Sequence, residues 1–152
     1  MAVRVQEADF DLAAEMAALR GGRTDIGAMV SFTGLVRGAS KAGAIDEMTL
    51  EHYPGMTEKA LEAIEAEAQA RWNLQACLII HRYGRLTPGE QIVLVITASP
   101  HRGDAFAAAE FLMDYLKSRA PFWKCEGSGA GAQWVDARET DEEALERWHI
   151  EG

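Results

Sequence analysis

Two apolar stretches near the middle of the chain restrict its fold more than any other feature. Residues 75–81 contain the run Cys77-Leu78-Ile79-Ile80, and residues 91–98 read Gln-Ile-Val-Leu-Val-Ile-Thr-Ala. Each has the length of a strand and is rich in β-branched residues. Leu86-Thr87-Pro88-Gly89 between them has turn chemistry, so the two are expected to pair as a buried hairpin. The rest of the chain supplies what can cover it. Asp9 is read as the cap of a helix over residues 10–20, with Leu12, Met16 and Leu19 on one face and Gly21-Gly22 as its stop. Thr57 is read as the cap of a second helix carrying Leu61, Ile64, Ala68 and Trp72. Asp104 is read as the cap of a third, carrying Ala105, Ala108, Leu112 and Leu116.

Further strands are expected at residues 3–6, 26–36 and 45–53, the last alternating polar and apolar positions before a Pro54-Gly55 turn. Residues 39–43 are small and polar and read as a loop. Residues 122–126 and 133–137 read as a hairpin around Gly-Ser-Gly-Ala-Gly. Thr140 with Glu143 makes a capping box for a last helix ending near Trp148. This order indicates an α+β fold, mostly antiparallel, with helices on one side of the sheet. At 152 residues, with no internal repeat and no linker, residues 1–152 are expected to form one domain.

Composition excludes several functions. The net charge of −9 argues against general nucleic-acid binding and makes any local cluster of Arg, Lys and His more informative. The opening Met-Ala-Val-Arg-Val-Gln lacks the apolar core of a signal peptide, and no apolar run approaches the ~20 residues of a membrane span. The expected compartment is the cytoplasm, with Cys77 and Cys125 reduced. Neither cysteine has a Cys-x-x-Cys partner, and the four histidines lack a metal-binding spacing. A Walker loop, a Gly-x-Gly-x-x-Gly fingerprint and a Gly-x-Ser-x-Gly elbow are also missing, so no metal or cofactor is expected.

The chemistry concentrates where elements end. In Lys117-Ser-Arg-Ala-Pro-Phe-Trp-Lys124, Pro121 pushes Ala120 out of the α region. A helix must therefore stop near Arg119, leaving Lys117 in its last turn and Lys124 at the start of a strand. Phe122 and Trp123 can wall a shared pocket. Two ammonium groups in one dry site depress at least one pKa, which suits a base, an acid or a nucleophile. The alternative is a cation facing a helix C-terminus and a solvated strand residue. Arg37 follows a strand, and His101 and Arg102 precede a helix; all three can hold an anion. Taken singly, each also reads as a surface charge. His52 and His81 lie inside strands and read as structural.

The segments Ser31-Phe-Thr-Gly-Leu-Val-Arg37, Leu50-Glu-His-Tyr-Pro-Gly-Met-Thr57, His81-Arg-Tyr-Gly84, Pro88-Gly-Glu90, His101-Arg102, Met113-Asp-Tyr-Leu-Lys117 and Ala120-Pro-Phe-Trp-Lys124 occur in one order. Together they closely resemble the large, catalytic subunit of molybdopterin synthase, from about Phe10 to Trp148. The resemblance implies an α/β hammerhead fold with an additional antiparallel β-sheet, and a homodimer within a heterotetramer. It implies a small ubiquitin-like sulfur-carrier subunit whose C-terminal Gly-Gly thiocarboxylate enters the site. The implied substrate is cyclic pyranopterin monophosphate, converted to the dithiolene of molybdopterin. Catalytic roles carry over to Lys117 and Lys124. Substrate contacts carry over to Arg37, His101 and Arg102, and more loosely to Val36, Cys125 and Glu126. Leu35 stands where the family often has lysine, and Cys125 where it often has arginine. Two rivals are a stand-alone sulfurtransferase using Cys125 as a persulfide carrier and a non-enzymatic anion-binding regulatory module. The absence of a second nearby cysteine weighs against the first; the second leaves both lysines without a role.

Overall fold

The computed structural model describes residues 2–40, 43–44, 47–127, 133–135, 146 and 148. Its elements are β1 (Ala2–Gln6), α1 (Leu12–Arg20), β2 (Ala28–Leu35), β3 (Ala39–Ser40), β4 (Gly43–Ala44), β5 (Glu47–His52), α2 (Met56–Arg71), β6 (Ala76–Arg82), β7 (Gly84–Leu86), β8 (Gln91–Ser99), α3 (Arg102–Arg119), β9 (Phe122–Gly127) and β10 (Gln133–Val135). Four strands make a first sheet in the order β1-β6-β8-β2, in which only the β1–β6 pair is parallel. A second, antiparallel sheet runs β10-β9-β5-β7. The architecture is α+β, a helix-covered sheet with an additional antiparallel one.

The expected hairpin is present. β6 and β8 pair from Ala76↔Ala98 to His81↔Val93 at the centre of the first sheet. Every residue of β6 is buried because both faces of the sheet are covered. Cys77, Ile79, Val93 and Val95 point to α2 and α3, where they meet Leu61, Ile64, Ala68, Phe111 and Leu112. Leu78, Ile80, Leu94 and Ile96 point the other way, to Phe10, Leu12, Met16 and Leu19 of the α1 region. The expectation of helices on one side is therefore corrected. Strands apolar at every position need cover on both faces, and the stripe on α1 supplies the second.

Three expected caps are displaced, two because distant partners claim the side chains and one because its side chain bonds back by one turn. Asp11, not Asp9, caps α1 by accepting from Ala14 N–H. Asp9 instead accepts from Phe10 N–H and from the Gln91 amide. Gly55 caps α2 at φ 84°, and Thr57 lies buried in the first turn, its hydroxyl donating to Tyr53 O. His101 is the cap position of α3, while Asp104 accepts from Asn73 N–H. The segment read as a loop at residues 39–43 includes β3 and Gly43 of β4, which pair Ala39↔Ala44 and Ser40↔Gly43. The capping box at Thr140 and Glu143 lies outside the described residues. Trp148 is helical and buried, its indole donating to Asp114 at 2.6 Å.

Candidate active site

Arg37 is exposed, two residues beyond β2, and its seat is built in detail. At Gly34, a side chain would put Cβ 2.7 Å from Val93, so the strand needs glycine there; the register shifts between Gly34 and Leu35. Val36 then turns inward, 5% exposed, into a cluster with Met48, Leu50 and Leu86. Its N–H donates to Glu90 O at 2.9 Å, and its carbonyl accepts from Gly89 N–H at 2.9 Å. Val36 thus has both backbone groups and its side chain committed, and it fixes the root of Arg37. Leu35 beside it is 54% exposed.

The 87–90 turn that grips Val36 is itself locked. The Glu90 carboxylate accepts from Thr87 N–H at 2.7 Å and from the Thr87 hydroxyl at 3.0 Å. Those two bonds, with nearby Arg82, hold its pKa below the usual carboxylate value. Arg82, buried at the end of β6, donates to Glu7 O at 3.0 Å and to Gln91 O at 2.8 Å. It lies 3.5 Å from Glu90 and 3.8 Å from Asp9. Asp9 is likewise held low, chiefly by its bond from Gln91. Sequence reasoning assigned Arg82 no role; a charged residue ending a strand that opens with five apolar residues was the available signal.

Lys117 sits exposed in the last turn of α3, as expected, and Ala120 adopts the extended backbone that Pro121 requires, at φ −71° and ψ 138°. Phe122 N–H closes the bend on Ala120 O at 2.8 Å. Lys124, Cys125 and Glu126 follow at consecutive positions of β9, paired with Leu50, Thr49 and Met48 of β5. Phe122 is not free to wall a pocket. Its ring stacks on buried His81, with centroids 3.7 Å apart and planes at 17°, and lies 5.9 Å from His52.

His101 and Arg102 are exposed at the other end of α3. The helix runs back along β8: Thr97 donates to Ala105 O near its start, and Leu116 near its end joins the cluster of Val93 and Phe122. At 1.5 Å per residue, Arg102 and Lys117 stand about 22 Å apart along the axis. β2 is antiparallel to β8, so Arg37 lies toward the Lys117 end. One chain therefore brings the roots of Arg37, Lys117 and Lys124 to one end and leaves His101 and Arg102 at the opposite one.

A family model described as MoaE protein matches residues 5–119. The chain belongs to the MoaE protein family. Among relatives of this MoaE chain, a molybdopterin synthase catalytic subunit from Ralstonia nicotianae is 64% identical over 148 residues, covering 97% of this chain and 84% of that one. The solved molybdopterin biosynthesis MoaE protein from Burkholderia ambifaria superposes with a TM-score of 0.84 at 56% identity, over 98% of this chain and 99% of that one. A molybdopterin synthase from Staphylococcus aureus superposes with a TM-score of 0.79 at 30% identity, over 87% and 95% of the two chains. These agree with the likeness read from the ordered motifs, and the fold is that of solved MoaE proteins.

Proposed function

We propose that this chain is the catalytic subunit of a molybdopterin synthase, working as a sulfurtransferase in molybdenum cofactor biosynthesis. Sulfur comes from the C-terminal thiocarboxylate of a small ubiquitin-like carrier subunit and goes to cyclic pyranopterin monophosphate. What supports this reading is that the backbone positions of Arg37, Lys117 and Lys124 lie toward one end of a chain of the MoaE family.

For each sulfur, the thiocarboxylate sulfur bonds to a pterin side-chain carbon as a carbon–oxygen bond there breaks, its oxygen leaving as water or staying on the phosphate. An acyl–sulfur bond then joins carrier and substrate. Water then adds to the acyl carbon and that bond breaks. Sulfur stays on the pterin and the carrier departs as a carboxylate. Lys117 and Lys124 are assigned to this stage, stabilising the oxyanion that forms as water adds and moving its protons. Arg37 offers a planar guanidinium fork to the phosphate. Cys125 and Glu126, adjoining Lys124, are assigned to the substrate-facing stretch of β9.

His101 and Arg102 suit the same anion but sit about 22 Å from Lys117 on one helix. A site that uses all of them draws these two from a second copy. We therefore infer a homodimer of this chain, each copy carrying one small subunit. No helix among the described residues is long and apolar enough to cross a membrane. We place the reaction in the cytoplasm and treat residues 1–152 as one domain.

The test mixes the chain with thiocarboxylated carrier and the pterin, and follows dithiolene product. Product is expected only when carrier is present. A folded chain that makes none with both present, or that works equally fast on free sulfide, overturns the reading.

A further inference from the structure

A stack of rings joins the second sheet to the first, beside the cluster of Met48, Leu50 and Leu86. Phe122, the first residue of β9, stacks on His81 of β6 with centroids 3.7 Å apart and lies 5.9 Å from the tilted ring of His52 on β5, which is itself 4.5 Å from Tyr83. His52 is also the residue paired with Phe122 in the β5–β9 ladder, so this is the first rung after the bend.

Hydrogen bonding fixes both imidazoles. His81 Nδ1 is 2.8 Å from Arg82 O, and a carbonyl can only accept, so Nδ1 carries the proton. His52 Nδ1 is 3.1 Å from Thr57 Oγ1, whose own hydrogen goes to Tyr53 O at 2.8 Å, so His52 Nδ1 is again the donor. Each ring is thereby held in orientation, and Phe122 packs against both, face to face on His81 and tilted against His52.

We propose that His52 and His81 are positioning residues for the transfer reaction: by clamping Phe122 they pin the register of β9 on β5 and so place Lys124. The need for a pin follows from the geometry of a strand. A slip of one residue turns every side chain to the opposite face. β9 begins after a connection of only Ala120 and Pro121, and Lys124 lies one alternation beyond the clamped ring, opposite Leu50. A phenyl at position 122 cannot slip without leaving both imidazoles. The inference rests on the proposed role of Lys124, yet the clamp is testable apart from it.

The chain has four lysines, at 41, 59, 117 and 124, so the 13C-dimethyl-lysine NMR spectrum of the intact protein is simple enough to assign by single Lys→Arg variants. Phe122→Leu keeps an apolar side chain but loses the stack; His81→Ala and His52→Ala remove one plane each; His81→Phe restores a plane. Phe122→Leu and the alanine variants are expected to move the Lys124 resonance and leave that of Lys59 in place. In the carrier-dependent assay, kcat should fall about 100-fold, as for a catalytic group displaced by about an ångström, with KM little changed. His81→Phe should recover both readouts, and it remains informative if an alanine variant does not fold. Folded Phe122→Leu and His52→Ala proteins with an unmoved Lys124 resonance overturn the clamp. Equal movement of every lysine resonance reduces it to a general structural contact and also overturns it. Full activity in Lys124→Arg, with the Phe122→Leu shift of Lys124 still seen, would instead refute the role of Lys124 and leave the clamp standing.

Discussion

At Lys117 and Lys124, arginine keeps the positive charge but cannot shed its proton in the working pH range. If the ammonium groups move protons, Lys117→Arg and Lys124→Arg should each cost at least ~100-fold in turnover while circular dichroism stays normal. A charge that serves only as an anchor would tolerate both. Arg37→Ala has a different signature. Its exposed side chain is assigned to the phosphate, so titration calorimetry should show substrate binding weakened by ~1.5–3 kcal/mol and carrier binding little altered. Equal loss for both ligands would move Arg37 from the phosphate to the docking surface. Glu65 makes a third residue-scale case. It is buried on α2 against Cys77, and its Oε2 has no partner. Desolvation raises its pKa, and burial together with Glu65 raises that of the Cys77 thiol. A carboxyl whose folded pKa is raised contributes its stability below the unfolded value and loses it as pH rises through the folded one. Glu65→Gln should therefore leave Tm nearly unchanged near pH 4 and raise it at pH 7 to 8. A Tm difference independent of pH would show that the carboxyl has the same pKa in the folded and unfolded chain.

Among elements, Arg82 is the tie that matters most for the seat of Arg37. It joins the end of β1, the start of β8 and the Glu90 turn through two backbone carbonyls and two flanking carboxylates. Arg82→Met keeps an apolar stem but strands both carbonyls, and should cost about 3 kcal/mol in urea unfolding. The low pKa values of Asp9 and Glu90 give acid sensitivity of the usual sign, with stability present above their unfolded values and lost as pH falls through the folded ones. Strands and helices were legible in the sequence because their apolar periodicity is local. Ala105, Ala108, Leu112 and Leu116 form the buried stripe of α3 as read, and Pro121 ends that helix as read. The caps were not legible, because Asp9 and Asp104 are claimed by Gln91 and Asn73 from elsewhere in the fold, and Thr57 lies inside the first turn of its helix, bonded back to Tyr53 O. The place of Phe122 was missed for the same reason: the proline bend announces the turn, but the imidazoles that receive the ring come from two other strands.

Across the whole molecule, the element ends at which Arg37, Lys117 and Lys124 stand were legible in the sequence, while the distribution of the candidate site residues was not. Nothing in the spacing of residues 101, 102 and 117 shows that one straight helix holds them apart. That separation makes a prediction about mixtures. Lys117→Ala and Arg102→Ala proteins should each be nearly inactive. Unfolded together and refolded as mixed dimers, they should regain activity, because one of the two sites then receives both intact residues. No recovery, with mixed dimers confirmed by mass spectrometry, would mean that each chain uses its own residues. The strand order carries a further consequence, for the ribosome. β1 pairs with β6, joining Ala2 to Leu78, and β5 pairs with β9, joining His52 to Phe122. Such distant pairings impose a slow, ordered assembly. A nascent chain released only as far as Ser99 has every strand of the first sheet and none of β9, so the buried sheet can close before the strand bearing Lys124 exists. Synthesis thus delivers the strands of the scaffold before either lysine of the reactive end.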